Sequence, residues 1–413
     1  MMSGNEIFHE YRRCSQGGIM TFLERNNGML PREYEYLLSW IRSVLHGTTA
    51  EELPGELSFE KIYETAMAHD VGNLTFYAVE QLNRLPEPEL YKRWRVCRDL
   101  ALVRDMNQEF ARQELTAGFA EAGIPYLELQ GTVLKGLYPR PEYRTMSDLD
   151  FILEPSHLEE GGEILQSLGY DLKRVDKVEI DGKRKPNIYV ELHTEYFPKL
   201  SFLYGAMGEP DFSTHRTEEQ RIEELYLYNM IHVAKHYYSS GCGLRRVLDV
   251  YMLEQSYGDR IDRTAVEAKL AKAGIPEFYR QICDLAQVWF GKERDHFSKG
   301  LSYPSKETED MGVRILLTPL HGEREQYVSS RITDVGGEGT SAPKAKTKYI
   351  LHRLFPGEIV MGKNYPFLKK YPILYPFCWI HRGLRLLFSK RLPKTFAELK
   401  MILRFKEDSR KRG

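Results

Sequence analysis

Hydrophobic positions in the first third of the chain repeat with the period of an α-helix. In the segment FEKIYETAMAHDVGNLTFYAVEQL, Ile62, Ala66, His69 and Leu74 recur near helical spacing. A longer amphipathic run follows and ends at Gly123, a residue type that commonly terminates helices. The pattern predicts that residues 32–115 are helical.

The period then changes to two, which is the period of a β-strand. IPYLELQG predicts a strand that closes at Gly131, TVLKGLYP a short helix stopped by Pro139, and SDLDFIL a second strand. A helix that ends at Gly169 follows. The next segment, KVEIDGKRKPNIYVELHTEYF, predicts a hairpin in which Asp181-Gly182 forms a two-residue turn.

From about residue 217 the helical period returns, beginning with a capping box in which Thr217 precedes Gln220 by three residues. The fold class predicted by this order is α+β, with a small mixed β-sheet core flanked by N- and C-terminal helical regions. The predicted domains are a helical region at 1–115, an α/β core at 116–210, a helical region closing a cleft at 211–332, a flexible linker at 333–347, and a basic, aromatic-rich tail at 348–413.

Composition adds limits to this prediction. The 413 residues are 42% hydrophobic and 28% charged, as in ordinary globular proteins. A net charge of −1 argues against a general attraction to nucleic acid or anionic membranes. The five cysteines form no CxxC pair, so neither a disulfide framework nor a zinc site is expected. No apolar run reaches the ~18 residues of a membrane span. We therefore expect a soluble cytoplasmic protein.

The C-terminal end is the exception to the even charge balance. Residues 381–413 contain eleven lysines and arginines but three acids, mixed with leucine and phenylalanine. Such a segment can contact an anionic membrane or RNA. The alternative, which we favour, is a solvated helix that packs its apolar side on the protein.

Two acids in the second predicted strand indicate a metal site. Asp148 and Asp150 are two residues apart, so their side chains project to the same side of a strand. Neighbouring carboxylates repel each other unless a cation lies between them, and Mg²⁺ (or Mn²⁺) prefers such oxygen ligands. Glu191, in the alternating segment IYVELHTEY, is the best third carboxylate. Two metal ions held in this way can clamp the attacking and leaving oxygens of a phosphoryl transfer.

Further residues could bind the phosphates of a nucleotide. Glycine at Gly131 permits close approach of the backbone, and Thr132 begins a helix whose free N–H groups can face an anion. Lys135 and Arg144 are nearby cations. His193 faces the same side as Glu191 and could contact the site or a base, although a structural role is equally consistent with its position.

Three residues of the downstream helices have chemistry that the sequence leaves open. His232 and His236 are four residues apart on one helix face, a spacing that suits a metal pair or a structural hydrogen bond. Asp249 is expected to pair with a cation rather than to act in catalysis.

The ordered set of motifs resembles the nucleotidyltransferases of the DNA polymerase β superfamily. It is most similar to the bacterial family of uncharacterised nucleotidyltransferases, through LQGTVLKGLYPRPEYRTMSDLDFIL and VELHTEY. AMAHDVGNL, HVAKH and LRRVLDV support the resemblance, which covers roughly residues 35–260. It implies metal roles for Asp148 and Asp150, a third-carboxylate role for Glu191 and a phosphate-side turn at Gly131. It also suggests that His232 and His236 line the cleft, together with Lys235.

The sequence departs from the family pattern at the turn. Gln130 occupies the position of the usual family lysine, and Thr132 stands where the superfamily prefers glycine or serine. The predicted reaction is transfer of a nucleoside monophosphate from an NTP donor to an unknown acceptor: a small molecule, a protein or an RNA end. The alternatives are a catalytically silent nucleotide-binding or interaction module, favoured by Gln130, and a related phosphoryl transfer such as kinase-like modification of a peptide.

Overall fold

The computed structural model describes most of the chain in two compact units. The described residues are 31–175, 177–197, 204–213, 215–239, 241–292, 301–317, 342–355, 361, 365, 368 and 371–387. One unit contains residues 31–317 and the other residues 342–387. The first unit contains the sheet and the helices that surround it.

The first unit begins with helices, as the sequence pattern predicts. They are α1 Arg32–His46, α2 Phe59–Ala68, α3 Gly72–Val79 and α4 Pro88–Ala122. The helical pattern around His69 covers two helices instead of one, because Asp70 adopts a positive φ of 56° and turns the chain between α2 and α3. Helix α4 ends at Gly123, whose left-handed backbone (φ 69°) terminates the helix as predicted.

A five-stranded mixed sheet follows. Its strands are β1 Tyr126–Glu128, β2 Leu149–Leu153, β3 Asp171–Arg174, β4 Glu179–Arg184 and β5 Ile188–His193, in the order β1-β2-β5-β4-β3. Strands β2 and β5 are parallel, and the other neighbours are antiparallel. The short helix α5, Gly131–Leu134, and the helix α6, Leu158–Ser167, precede and follow β2. The predicted α+β fold with helical flanks is confirmed.

The hairpin β4–β5 is present, but its predicted turn is wrong. Asp181 and Gly182 lie inside β4, and the chain reverses at residues 185–187, where Asn187 has a positive φ of 58°. A Cβ on Gly182 would lie 3.2 Å from Leu165 Cδ1 and 3.4 Å from Tyr170 Cδ1. The glycine is therefore explained by close packing of α6 on the strand. Strand β3, which the pattern did not predict, is exposed at all four residues and so shows no alternation.

One face of the sheet forms the core with α4 and α6. Leu149, Phe151 and Leu153 of β2 are fully buried, and so are Val190 and Leu192 of β5. They pack against leucines and phenylalanines of the two helices, such as Leu115, Phe119 and Leu165. Because strand side chains alternate, the residues between them face the opposite side of the sheet.

The C-terminal part of this unit is helical. Its helices are α7 Tyr204–Met207, α8 Glu218–Ser239, α9 Gly243–Tyr257, α10 Arg263–Lys272, α11 Pro276–Phe290 and α12 Lys306–Leu317. Among the described residues of this unit, four short 3₁₀ turns occur at Lys135–Leu137, Pro141–Tyr143, Pro155–His157 and Gly258–Arg260. The capping box of α8 is confirmed, since the Thr217 amide donates to Gln220 Oε1 (2.9 Å) and the Gln220 amide donates to Thr217 Oγ1 (3.3 Å).

The second unit contains α13 Ala342–Leu354, a 3₁₀ turn Pro372–Leu374 and α14 Tyr375–Leu387. The predicted linker lies outside the described residues up to 341, and its last residues belong to α13. The basic segment is described only to residue 387. None of the described helices is both long and apolar enough to cross a membrane. The five predicted domains stay predictions.

Candidate active site

The register of two parallel strands brings the predicted acids together. Asp150 of β2 lies beside Glu191 of β5, and Ile152 lies beside His193. Ligand atoms of Asp150, Glu191 and His193 all lie within 4.8 Å of one another. His193 Nε2 is 3.4 Å from Glu191 Oε2 and 3.7 Å from Asp150 Oδ1. The parallel pairing of β2 and β5 thus brings Glu191 beside Asp150, and His193 belongs to the same cluster.

Asp148 lines the same cleft but stands apart from this three-residue cluster. It precedes the first residue of β2, so the strand ladder does not fix it beside Glu191. Its Oδ1 accepts a hydrogen bond of 3.1 Å from the Ser147 hydroxyl. Burial, followed by the negative charges of Asp150 and Glu191, raises the pKa of Asp148 to about 6. The neutral form of Asp148 is therefore favoured both by burial and by the two neighbouring acids.

His193 supplies the positive charge at the centre of the cluster. Burial by itself lowers its pKa, but hydrogen bonds and charges from Asp150 and Glu191 outweigh burial and raise the pKa to about 10. The hydrogen bond from His193 lowers the pKa of Glu191 in turn. The raised pKa favours a protonated His193 beside the two carboxylates, where a metal cation could also balance their charge.

The acids form the floor of a cleft of about 500 Å³. Its opposite wall consists of one face of α8, which presents Tyr228, His232, Lys235 and His236. The rings of Tyr228 and His232 are stacked, with centroids 5.8 Å apart and an interplanar angle of 17°. Burial, followed by the charges of the three acids, raises the pKa of the Tyr228 hydroxyl. The wall is therefore aromatic where it faces the carboxylates.

Two cations on the helical wall face the acids across the cleft. Arg246 of α9 is 8% exposed and donates to the Cys242 carbonyl (3.2 Å), and it forms no ion pair with any carboxylate of the described residues. Burial lowers the pKa of Arg246 to about 10. Burial and the charge of Arg246 also lower the pKa of Lys235. Arg246, as a buried cation without an ion pair among the described residues, is costly, and an anion in the cleft would offset that cost.

Comparison with protein families identifies the chain. The model of a family described as "Uncharacterised nucleotidyltransferase" matches residues 55–291, which is more than half of the chain. The chain belongs to this family. Searches of curated proteins and of solved structures found no match.

The matched segment contains the complete cleft of this nucleotidyltransferase family member. It includes the acids on β2 and β5, the turn at Gly131 and the cationic wall of α8 and α9. The family match therefore supports a transferase, and it leaves the nucleotide, the acceptor and the metal ion undefined.

The structure places the predicted phosphate-binding residues in different surroundings. Gly131 lines the cleft, and a Cβ there would lie 3.0 Å from Met146 Sδ and 3.3 Å from an Arg144 guanidinium nitrogen. Thr132 donates its hydroxyl to the Leu129 carbonyl (3.1 Å). Lys135 is buried and paired with Asp105 of α4, so the structure does not bring it to the cleft.

Arg144 lines the cleft, but its guanidinium is engaged by α9. It forms a two-point ion pair with Asp249, with distances of 2.6 and 2.9 Å, and both side chains are buried. Tyr138 also donates to Asp249 (2.8 Å). Asp249 therefore joins α9 to the segment that precedes Asp148. It is an ion-pair partner, as predicted, and its cation lies in a distant part of the chain.

The upstream and downstream motifs of the family hold that same segment in place. Asp70, between α2 and α3, accepts hydrogen bonds from Arg245 of α9 and from the Thr145 hydroxyl (3.1 Å). Arg245 also donates to the Thr145 carbonyl (2.8 Å). Asn73 of α3 donates to the carbonyl of Glu142 (2.6 Å). Residues 138–148 are thus fixed from two sides, and with them the position of the acids.

The residue in place of the family lysine has an unusual backbone. Gln130 has a φ of 26°, which is rare for a residue with a side chain. Its side chain is buried and donates to Asn229 Oδ1 on α8 (3.0 Å). Such backbone conformations persist only where surrounding contacts enforce them, and they cluster at ligand sites. Gln130 therefore connects the turn to α8 without adding a charge.

The histidine pair of α8 does line the cleft, as the resemblance suggested. The Nε2 atoms of His232 and His236 are 3.2 Å apart, so one ring donates to the other within the helix. Burial and the neighbouring charge of His236 lower the pKa of His232 well below its ordinary value. The described residues provide no third ligand to this pair in a metal-binding cluster.

Proposed function

We propose that the protein transfers a nucleoside monophosphate from an NTP to a hydroxyl-bearing acceptor and releases pyrophosphate. The observation that carries the proposal is the pairing of Asp150 with Glu191 on neighbouring parallel strands, in a cleft also lined by Arg246, which forms no ion pair among the described residues. Acids on one wall and cations on the other suit a metal–triphosphate complex, because the acids can bind the metal ion and the cations can bind the phosphates.

The donor atoms fit a divalent cation. Three carboxylates line one cleft, and burial, followed by the charges of Asp150 and Glu191, raises the pKa of Asp148, which supports a cation between them. Asp148, Asp150 and Glu191 would hold Mg²⁺ (or Mn²⁺), with His193 at their side. When bound, the cation would neutralise the phosphate charge and orient the reacting oxygens.

The protein residues would contribute mainly by positioning the NTP and the acceptor. Arg246 and Lys235 would bind the β- and γ-phosphates, while Gly131 would let the backbone approach them. The acceptor oxygen forms a bond with the α-phosphorus, the bond from the α-phosphorus to the bridging oxygen breaks, and pyrophosphate leaves. The acceptor proton passes to water. Most of the acceleration would come from orientation and charge neutralisation.

A relationship to the DNA polymerase β superfamily is also part of this proposal. A turn glycine, a D-h-D strand and a distal acid on a mixed sheet support a DNA polymerase β-like ancestry. The bacterial origin suggested by the resemblance stays a prediction of the sequence.

A thermal-shift panel tests the proposal. The wild-type protein, Asp150→Asn and Asp171→Asn would be melted with each of ATP, GTP, CTP and UTP, with Mg²⁺, Mn²⁺ or EDTA. Asp171 lies on the exposed edge strand β3 and gives a matched control. Ligand at 100 times its Kd stabilises by about 2.7 kcal/mol, which raises Tm by several degrees.

We expect a shift that requires metal, occurs in the wild type and in Asp171→Asn, and disappears in Asp150→Asn. A shift that survives in Asp150→Asn or in EDTA would contradict the proposed site. The silent binding module, for which Gln130 argues, predicts the same shift but no pyrophosphate release with any acceptor. A phosphoryl transferase would release the nucleoside diphosphate instead of pyrophosphate.

A further inference from the structure

Strand β1 forms one edge of the sheet, and its outer hydrogen-bonding groups are free among the described residues. Its ladder partner is β2, with Leu127 opposite Ile152 and Glu128 opposite Phe151. The Leu129 amide donates to the Asp150 carbonyl (3.0 Å), so Leu129 and, by alternation, Leu127 direct their backbone groups towards β2. The N–H and C=O groups of Tyr126 and Glu128 consequently point away from the sheet.

This outer edge forms one wall of a groove of about 660 Å³. Six consecutive residues, 125–130, line it from the strand side. Ile222, Leu225 and Tyr228 of α8 line the opposite wall, together with Phe212. A groove with backbone donors and acceptors on one side and apolar pockets on the other matches the way in which sheets bind extended peptides.

The groove continues directly into the acidic cleft. Leu129, Gln130, Tyr196 and Tyr228 line both cavities. Leu129 is the ladder neighbour of Asp150, so the end of the groove at Gln130 opens beside the cluster of acids. A chain lying along β1 and continuing past Gln130 would enter the cleft from the side.

The charge of the groove argues against a nucleic acid. Its lining contains two arginines, Arg216 and Arg221, and four acids, Glu128, Asp211, Glu218 and Glu224. Arg216 is already paired with Glu224 (2.6 Å). A polyphosphate backbone would meet an excess of negative charge here, whereas binding of nucleic acid relies on cations. The opposite edge strand, β3, differs from β1 because it is exposed and carries the charged residues Lys173 and Arg174. Charged side chains on a free edge strand commonly prevent it from pairing with another chain.

We propose that the groove binds the acceptor, and that the acceptor is an extended peptide with a serine, threonine or tyrosine hydroxyl. The peptide adds a strand to β1 through the outward groups of Tyr126 and Glu128 and delivers its hydroxyl past Gln130. This inference rests on the proposed nucleotidyl transfer. The peptide oxygen bonds to the α-phosphorus of the NTP, the bond to the bridging oxygen breaks, pyrophosphate leaves, and the hydroxyl proton passes to water.

Two leucine-to-tryptophan variants test the groove with the same substitution on the two edge strands. Leu127→Trp narrows the groove on β1, and Leu172→Trp changes the exposed edge β3. The substrates are three pools of nonapeptides with a central Ser, Thr or Tyr and randomised flanks, an RNA oligonucleotide with a free 3′ hydroxyl, and a mixture of sugars. Each is incubated with metal and the four NTPs, labelled at the α-phosphate.

We expect label in a peptide pool, at least tenfold less label with Leu127→Trp, and unchanged labelling with Leu172→Trp. Label in the RNA or the sugars without label in peptides overturns the peptide assignment. So does equal labelling by the two variants. If circular dichroism shows that Leu127→Trp is misfolded, Leu225→Trp narrows the groove from α8 and takes its place.

Amide hydrogen exchange separates this inference from the proposed function. Peptide pools should slow exchange of the outward Tyr126 and Glu128 amides and leave residues 171–174 unchanged, with or without nucleotide. Slow exchange of these two amides in the protein alone would mean that another part of the chain already covers the edge, and would overturn the proposal. If NTP raises Tm in the presence of metal but peptides do not slow amide exchange, the peptide assignment is refuted and the nucleotidyl transfer is not. If no NTP raises Tm, the proposed transferase itself is refuted.

Discussion

Arg246 shows how one buried charge can distinguish a binding role from a structural one. Its guanidinium is desolvated, faces the acidic cleft and forms no ion pair in the described structure. A charge of this kind destabilises the free protein unless a ligand compensates it. The conventional expectation for a buried arginine, a stabilising salt bridge, does not apply here.

We expect Arg246→Met to leave the ligand-free protein as stable as the wild type or more stable. Its affinity for NTP should fall by about 10- to 100-fold, because a charge-assisted hydrogen bond contributes about 1.5–3 kcal/mol. Urea denaturation measures the first effect and thermal shift with Mg-NTP the second. Arg246→Lys, which keeps the charge, should lie between the two proteins in affinity. Destabilisation of Arg246→Met with unchanged affinity would assign a structural role.

Arg144 provides the contrasting case. Its two-point ion pair with Asp249 is buried and holds the segment before Asp148 on α9. Asp249→Asn removes the charge that compensates Arg144, and we expect a loss of about 3–5 kcal/mol in the free energy of unfolding. Urea denaturation is the measurement, and Glu218→Gln, which breaks an exposed pair with Arg260, should cause no measurable change. A small effect of Asp249→Asn would show that Tyr138 and neighbouring contacts suffice.

These two arginines also show the limit of what the sequence can assign at the residue scale. The acids could be found because strand alternation fixes which side chains share a face, and Asp150 and Glu191 do lie side by side. Whether a cation near a motif is available for phosphate depends on its partner. The partner of Arg144 lies 105 residues away, and proximity in the sequence does not reveal it.

At the scale of elements, α6 lies close to the sheet because it has a glycine where it crosses the strands. A Cβ on Gly161 would lie 2.5 Å from Leu153 Cδ1 and 3.2 Å from Leu192 Cδ1. Both leucines are fully buried, so the helix would have to move outward. The distance between α6 and the sheet therefore affects the strands that carry the acids.

We expect Gly161→Ala to reduce the free energy of unfolding by about 1–3 kcal/mol through overpacking. Gly136 provides the matched control, since a Cβ there would meet nothing within 4 Å. Gly136→Ala should have the stability of the wild type or slightly more. Both values come from urea denaturation. Equal stability of the two variants would mean that the leucines rearrange at no cost.

The same elements explain which parts of the fold the sequence predicted. The long helix to Gly123, strand β2 and the capped helix α8 have strong periodic patterns and clear end signals, and all three are confirmed. The Asp181-Gly182 turn was wrong because glycine also serves close packing, a contact between elements that local patterns do not contain. Strand β3 was missed because no face of it is buried.

At the scale of the whole unit, His69 joins three distant helices. Its Nδ1 accepts a hydrogen bond from the Leu244 amide of α9 (3.2 Å), and its Nε2 lies 3.1 Å from the Leu316 carbonyl of α12. The neutral ring protonated at Nε2 satisfies both partners. Burial lowers the pKa of His69 to about 4. The folded protein thus favours the neutral ring, whereas the unfolded chain protonates it near pH 6.5.

Because the pKa is lower in the folded state, the stabilisation is complete above pH 6.5 and is lost as the pH falls towards 4. We expect the free energy of unfolding to drop across this window by up to about 3 kcal/mol. His69→Gln should show a shallower drop, although it is less stable at pH 7.5. Urea denaturation at pH 7.5, 6 and 5 measures the free energy of unfolding of the wild type and of His69→Gln. Parallel pH profiles for the two proteins would contradict the assignment.

The distance along the chain between Arg144 and Asp249 has a consequence for synthesis. At about 5–20 residues per second, Asp249 leaves the ribosome roughly 5–20 s after Arg144. During that interval β2 to β5 and α8 emerge one after another, whereas α9 is still missing and the guanidinium of Arg144 stays in water. The nascent sheet therefore cannot by itself fix the segment before Asp148. The acidic site becomes ordered only when α9 has emerged and Asp249 can pair with Arg144.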